Sequence, residues 1–559
     1  MRLTYGRQVA RRSLLALAVA LLALVGIASP AAAAEPVRVQ EQRIEGAGVS
    51  LDTSLYLPAT IPAPAVLVAH GFGGTKASVD ADARDLAARG FVVLTWSARG
   101  FGASTGQIAL NAPDAEVADA SKLVDWLAQR PEVRQDGPGD PRVGVTGGSY
   151  GGALSLMLAG YDKRIDAIAP VITWNDLAQA LFPNAAAATA PPSDTPARGA
   201  FAPDGVFKRG WAGVFFSSGQ AGQPVPGVPL TCGRFTAAVC TAYTEAATTG
   251  RISPATSALL ERSSPASVTD RITAPTLLVQ GEQDTLFGLD QADANARQIA
   301  AHGTPVSVTW YAGGHDGGAP DQAVRDQIGT WFDHYLASSG PVPASTFSYA
   351  VQSGVRASSS TPTGRTVVAP VYPGLAGAPT PTQDLPLTGD TQTIITPAGG
   401  SPAAITSLPG LGSALGAVTG RLTAVSGALP GQSAQFRTAP LATPVTLAGA
   451  PRVRLQVARV PGQPAPADAV LFVGTSEVAP DGTRTLLGSS VAPIRVAVPA
   501  DGSPVAVTVT LPGVVAPVET GHALAVSVTT TDQGYAGGTD PAVWSVAVSG
   551  GVAVPVVAG

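Results

Sequence analysis

Gly147-Gly148-Ser149-Tyr150-Gly151-Gly152 sets a serine between glycines in the pattern G-x-S-x-G. The apolar Val143-Gly144-Val145 precedes it and Ala153–Ala159 follows, with Leu154, Leu156, Met157 and Leu158. The order reads as buried strand, tight turn, helix. Such a turn projects a serine hydroxyl at a helix N-terminus, where free N–H groups favour developing negative charge. The matching chemistry is nucleophilic attack on an acyl carbon, and a serine needs a base and an orienting carboxylate to do it. Five histidines occur: His70, His302, His315, His334 and His522. His315 lies in the glycine-rich stretch Ala312–Gly318, just past the strand-like Val306–Tyr311. Asp284 follows another strand-like run, Pro275–Gly281, with Glu282 as its rival. The order Ser149, Asp284, His315 is the one a parallel sheet delivers when each residue stands at a strand's C-terminal end. The backbone N–H of Tyr150, with one from the loop at Phe72, would form an oxyanion hole. A second G-x-S-x-G, Gly102–Gly106 around Ser104, has no strand before it and no helix after it, and reads as a loop.

The elements that must hold these residues alternate. Val37–Arg43 and Val49–Leu57 read as an edge hairpin, Ala65–Ala69 as a strand buried on both faces, and Ala77–Arg89 as a helix. Phe91–Thr95 reads as a strand, and a helix capped by Asp114 runs to Gln129. Strand Ile165–Ile172 follows the serine's helix. A helix near Asp290–Ala301 and another from Asp321 to Leu336 close the series, which specifies a mostly parallel sheet with helices on both faces. Between about 173 and 264 the rhythm breaks. Trp174, Phe182, Phe201, Phe207, Trp211, Phe215, Phe216, Pro191-Pro192 and both cysteines fall here. We read a cap inserted over the strand ends, with Trp174 lining an apolar pocket above Ser149. After about Pro341 the chain turns rich in Pro, Thr, Gly and Val. Residues 355–415 read as loop, and alternating strands at Arg452–Val457, Ala469–Thr475, Val505–Leu511 and Ala523–Thr529 read as a β-sandwich or jelly roll.

A chain of 559 residues exceeds one core. Residues 1–34 read as a secretory signal peptide: Arg2, Arg7, Arg11 and Arg12, the apolar run Ser13–Ala28, then Ala32-Ala33-Ala34 before Glu35. Arg11-Arg12 is compatible with a twin-arginine route as well as the general one, and an uncleaved anchor is the alternative. Removing those four arginines takes the formal net charge from −5 to −9, which gives no grip on nucleic acid or an anionic membrane surface. Cys232 and Cys240, the two cysteines, fall in the exported part and are expected to form a local disulfide. No metal or cofactor is expected.

At these residues the chain resembles the X-Pro dipeptidyl-peptidase family, which also holds cocaine esterase-like acyl esterases and α-amino-acid ester hydrolases. Arg99-Gly100-Phe101-Gly102-Ala103-Ser104-Thr105-Gly106 resembles that family's loop after the fourth strand, and Gly147–Gly152 its elbow, with tyrosine after the nucleophile. Gly281-x-x-Asp284-x-x-Phe287 and Gly314-His315 are similar to its acid and base segments. The resemblance implies an α/β-hydrolase core (35–340) with a helical cap, and a non-catalytic jelly-roll domain (341–559). Ser97 stands where the family commonly has aspartate, and Phe72 where relatives often have an oxyanion tyrosine. The expected function is a secreted serine hydrolase cleaving a small peptide, amide or ester through an acyl-enzyme. Release of Xaa-Pro dipeptides competes with acyl ester or α-amino-acid ester hydrolysis. A non-catalytic cell-wall or glycan-binding protein on the same fold is the rival class.

Overall fold

The computed structural model describes residues 37–187, 205–220, 230–340, 347–355, 362–374, 381–406 and 429–557. The segment 1–34 read as a signal peptide, Pro191-Pro192 and Phe201 lie outside the described residues. Among the described residues the N-terminal body is organised on one ten-stranded sheet. Its order runs Arg38–Glu45, Ser50–Leu57, Val92–Trp96, Ala65–Ala69, Val143–Gly148, Ile165–Val171, Thr276–Gly281, Val306–Tyr311, Phe347–Val355, Pro362–Ala369. The pairs at the first edge are antiparallel. From Val92–Trp96 through Phe347–Val355 neighbours run parallel. Strand Ala65–Ala69 shows why its sequence has no polar face. Leu67 and Ala69 enter one core with Leu154 and Met157, while Val66 and Val68 enter the opposite one with Leu86 and Phe332. Helices on both faces bury both sets, so every position is apolar.

The structure corrects several boundaries. The helix after the Arg99 loop spans Glu116–Leu127 with Ala115 at its N-cap. Asp114 instead pairs with Arg262. The Glu116 carboxylate turns back to accept the N–H groups of Ala109 and Ala112, which ties the preceding loop to the first turn of the helix and leaves the helix without a side-chain cap. The serine's helix begins at Tyr150, three residues before the apolar run. The hairpin Phe347–Val355/Pro362–Ala369 joins the hydrolase sheet although it lies past the expected boundary at 340. Its alternating Phe347, Tyr349 and Val351 are buried in the hydrolase core with Trp310. Residues 355–415, read as loop, hold three strands, Pro362–Ala369, Thr382–Pro386 and Gln392–Thr396. The last two pair with the long strand Ala542–Val557. Their register comes from that distant partner, which the local run of turn formers hides.

The C-terminal body is a two-sheet β-sandwich. Leu455, Leu471, Val526 and Trp544 meet in its core. One of its sheets takes in a strand from the cap: Ala186 and Ala187 pair with Val509 and Thr508. The rest of the described cap comprises helices Leu177–Leu181, Arg209–Gln220, Ala237–Thr249 and Pro254–Arg262. Cys232 and Cys240 are disulfide-bonded, tying the turn Leu230–Cys232 to the helix Ala237–Thr249. Among the described residues no helix is long and apolar enough to cross a membrane.

Candidate active site

Ser149 occupies the turn between Val143–Gly148 and Tyr150–Tyr161, with φ 55° and ψ −112°. This is a left-handed conformation that costs a non-glycine residue energy and persists only where the surroundings enforce it. The enforcement is visible: the Ser149 N–H donates to the Val171 carbonyl at 2.8 Å, and its own carbonyl accepts the Thr173 hydroxyl at 2.8 Å. A methyl group at Gly147 or Gly151 would run into the carbonyl oxygen of Ala69, so the strand–helix approach needs both glycines.

His315 Nε2 stands 2.9 Å from Ser149 Oγ, and His315 Nδ1 stands 2.6 Å from Asp284 Oδ2. The other Asp284 oxygen accepts the N–H groups of Leu286 and Phe287 at 3.0 and 2.9 Å, which fixes the carboxylate's rotation. The structure thus brings the three side chains singled out in the sequence into one hydrogen-bonded chain. Glu282 turns away. It accepts the Ala350 N–H at 2.8 Å from the strand Phe347–Val355, two strands away in the sheet, and burial pushes its carboxyl up to about 8. Ser104 is buried at the edge of the sheet, where its hydroxyl accepts the Asp52 N–H and donates to the Ser97 carbonyl. His70 is also structural: Nε2 accepts the Ala98 N–H at 2.9 Å, Nδ1 faces the Gly71 carbonyl at 2.7 Å, and burial holds the imidazole below its ordinary range. His522 pairs with Glu477 in the β-sandwich.

Tyr150 is the first residue of its helix, so its N–H has no helical acceptor. Its hydroxyl donates to Glu116 at 3.0 Å and accepts the Asn111 N–H at 3.1 Å. Burial raises Glu116 to about 7. The Phe72 ring packs edge-on against Phe101, Tyr150 and Phe215. The loop carrying it passes Ser149 closely, since a Cβ at Gly71 would lie 3.8 Å from the serine Cβ.

Two spaces meet at Ser149. The first is a cavity of about 110 Å³ whose walls include Phe72, Leu110, Trp174, Phe215, Phe235 and Phe287. Trp174 is there as expected, with its indole N–H donating to the Ser263 carbonyl. No charged residue is found among the described residues that line it. The second is a wider cleft of about 500 Å³, bounded by Ser149, His315, Ile172, Gly71, Ala319 and Arg325. Sequence reasoning missed Glu116, Lys208 and Trp211. The last lies edge-on to the imidazole, ring centroids 5.7 Å apart. The density of cap aromatics was its only trace. Among the described residues no group of three His, Cys, Asp or Glu side chains is placed to hold a metal ion.

Residues 47–315 match the X-Pro dipeptidyl-peptidase (S15 family) domain, and residues 345–542 match the X-Pro dipeptidyl-peptidase C-terminal non-catalytic domain. Solved structures share the fold across almost the whole chain. An aminopeptidase from a marine-sediment Thaumarchaeota archaeon superposes with a TM-score of 0.66 at 14% identity, over 94% of this chain and 97% of that one. An α-amino acid ester hydrolase gives 0.66 at 16% identity, over 95% and 99%. A CocE/NonD family hydrolase from Staphylococcus aureus gives 0.63 at 12% identity, over 93% and 94%. A curated relative, the uncharacterized 31.7 kDa protein of the traX-finO intergenic region of Escherichia coli, is 26% identical over 114 residues, which is 20% of this chain and 38% of that protein. With both domains matched and the fold shared from end to end, the chain belongs to the X-Pro dipeptidyl-peptidase family of α/β-hydrolases.

Proposed function

We propose that this hydrolase is an exported serine enzyme that takes a neutral, apolar acyl group from an ester or amide onto Ser149 and releases it to water. The observation that carries this reading is the unbroken hydrogen-bond chain Ser149–His315–Asp284 opening on an uncharged aromatic cavity. His315 Nε2 accepts the Ser149 proton as Oγ attacks, and Asp284 holds the Nδ1–H tautomer and balances the imidazolium. The N–H groups of Tyr150 and Phe72 receive the oxyanion. His315 then protonates the leaving group, which must lie on its side of the serine. The imidazole borders the wide cleft and not the aromatic cavity, so the leaving group goes to the cleft and the acyl chain to the cavity. Water entering by the cleft completes the reaction by the same steps.

Release of Xaa-Pro dipeptides would place an N-terminal ammonium near the acyl cavity. A desolvated ammonium needs a carboxylate partner, and among the described residues the cavity's lining offers none. The family's ester-hydrolysing branch therefore fits this site better than its peptidase branch. A fluorophosphonate probe should label the unmodified chain, fail on Ser149→Ala and still label Ser104→Ala. Labelling that survives Ser149→Ala sinks the assignment. Neutral acyl esters should be turned over at least about tenfold more efficiently than Xaa-Pro esters of the same phenol, a gap of roughly 1.4 kcal/mol in transition-state binding. The opposite ranking would return the chain to the peptidase branch.

A further inference from the structure

The cap does more than wall the pocket. Lys208 stands one residue ahead of the cap helix Arg209–Gln220 and is buried. Its Nζ crosses into the hydrolase body and donates to the carbonyls of Thr285 and Leu286, at 3.0 and 2.7 Å. These are the two residues after Asp284, in the turn whose N–H groups fix the Asp284 carboxylate. Trp211, one helical turn further on, donates its indole N–H to the Thr285 hydroxyl at 3.0 Å while its ring rests edge-on against His315. The Thr285 N–H and hydroxyl in turn donate to Asp316, next to the histidine. One end of one cap helix thus touches the acid's turn, the base's ring and, through Thr285, the base's loop.

That helix end is held from outside. The Ala536 N–H donates to the Phe207 carbonyl at 2.8 Å, and the Gly210 N–H donates to the Gly534 carbonyl at 2.9 Å. Arg209 Nε reaches the Gln533 carbonyl at 3.3 Å. Val206 is fully buried with Phe472 and Tyr535 of the β-sandwich. Residues on both sides of Lys208 are therefore bolted to the C-terminal body while Lys208 points the other way.

We infer that Lys208 is a positioning residue for the acid: the β-sandwich and the cap together clamp the Asp284 turn through its ammonium, and this clamp sets the Asp284–His315 geometry. The inference rests on the catalytic reading of Ser149, His315 and Asp284 above. The ammonium faces Asp290 on the helix Leu289–Ala300, together with Asp284 and Asp316. Glu282, Tyr535 and the pair Asp293–Arg297 line the same cavity of about 170 Å³ between the domains. Burial pushes the amine down to about 8, against the pull of those carboxylates. Removing the ammonium leaves two carbonyls and the facing Asp290 without it, so Lys208→Met costs stability whether the lysine is structural or positioning, and only a positioning lysine also slows the folded enzyme.

The test compares the unmodified chain with Lys208→Met and Lys208→Arg. Three quantities are measured: the second-order rate of fluorophosphonate labelling against pH, the KM for a neutral aryl ester, and the melting temperature. Lys208→Met is expected to slow labelling about 30-fold with KM changed less than about threefold. Its acid limb should move up by about half a pH unit, since removing a nearby cation lets the imidazole hold its proton longer. Lys208→Arg, which keeps the charge and two donors, should recover most of the rate. A Lys208→Met chain with the unmodified rate and limb overturns the inference alone. So does one whose loss of rate only follows its loss of folded fraction. If Lys208→Met does not fold, Trp211→Phe decides. Replacing the indole by the smaller phenyl ring removes the N–H bond to Thr285 and trims the contact with His315, which should slow labelling about fivefold, and an unchanged rate overturns the clamp. Failure of the unmodified chain to label at Ser149 overturns the catalytic reading and this inference with it.

Discussion

Two carboxylates stand two residues apart after the same strand, and their surroundings give them opposite roles. Asp284 takes two backbone N–H groups on one oxygen and the imidazole on the other, which fixes its carboxylate against His315. Glu282 faces the strand Phe347–Val355 with few donors, and burial pushes its carboxyl up to about 8. Spacing alone left both open, because strand-end position does not say which way a side chain turns. Asp284→Asn is expected to lower turnover by about 10³–10⁴-fold, with the fold and the melting temperature retained, through loss of the correct imidazole tautomer. Glu282→Gln should keep turnover within a few-fold and act on stability. The folded chain keeps the Glu282 proton to about 8, whereas the unfolded chain gives it up near 4.5. Between those values the folded state binds more protons, so the contribution of Glu282 is fully present below the lower value and lost as pH rises through the upper one. The melting temperature of Glu282→Gln should therefore gain on the unmodified chain steadily from pH 5 to pH 8. A constant difference across that range would mean that Glu282 is ionised throughout.

At the scale of the elements, the elbow was legible because its constraint is local. Three of its four glycines answer a close contact with a neighbouring strand or the residues that follow it. Gly151 and Gly147 meet Ala69, and Gly152 meets Val171 and Thr173. Gly148 has only Ile172 Cγ1 at 4.0 Å, which is ordinary van der Waals distance. Gly148→Ala should then shift stability by no more than about 1 kcal/mol, whereas Gly151→Ala, forced against a backbone carbonyl, should cost about 3 kcal/mol or more or prevent folding. Thermal melting of the two variants decides it, and equal effects would show that the elbow is looser than its contacts imply. The same reasoning explains what the sequence hid. The strands Thr382–Pro386 and Gln392–Thr396 are short, and they depend on residues about 170 and about 150 positions away for their ladders. The cap strand Ala186–Ala187 is two residues long and exists only because Thr508 and Val509 offer a free edge. Lys208 carried no motif at all. Its significance depends on where Phe207 and Gly210 are anchored, which only tertiary structure specifies.

For the whole molecule, the cap is shared between two bodies, and its two described ends are fastened differently. The end at Lys208 grips the acid's turn. The other end, Pro183–Ala187, is laid on the β-sandwich by the Asn184 side chain. Its amide oxygen accepts the Arg495 N–H at 3.1 Å and its amide nitrogen donates to the Arg495 carbonyl at 3.2 Å, mimicking a strand pair. The same oxygen accepts the Ala186 N–H, which starts the short strand paired with Val509. Leu181 and Phe182, just ahead, wall the aromatic cavity. Loosening this end should therefore reach substrate binding before it reaches the acid. Asn184→Ala removes two hydrogen bonds to the half-buried backbone of Arg495, which costs about 1–3 kcal/mol and lowers the melting temperature by several degrees, on the order of 3–6 °C. The KM for a neutral aryl ester should rise about three- to tenfold as the cavity wall relaxes. The labelling rate for a small fluorophosphonate that does not fill the cavity should stay within about twofold, and the acid limb should not move. That pattern is the reverse of the one expected for Lys208→Met, so the two variants separate the cap's two attachments. If Asn184→Ala lowers the melting temperature while KM holds, the β-sandwich supports the cap's fold at this end without shaping the pocket, and its contribution to catalysis reduces to the contact at Lys208.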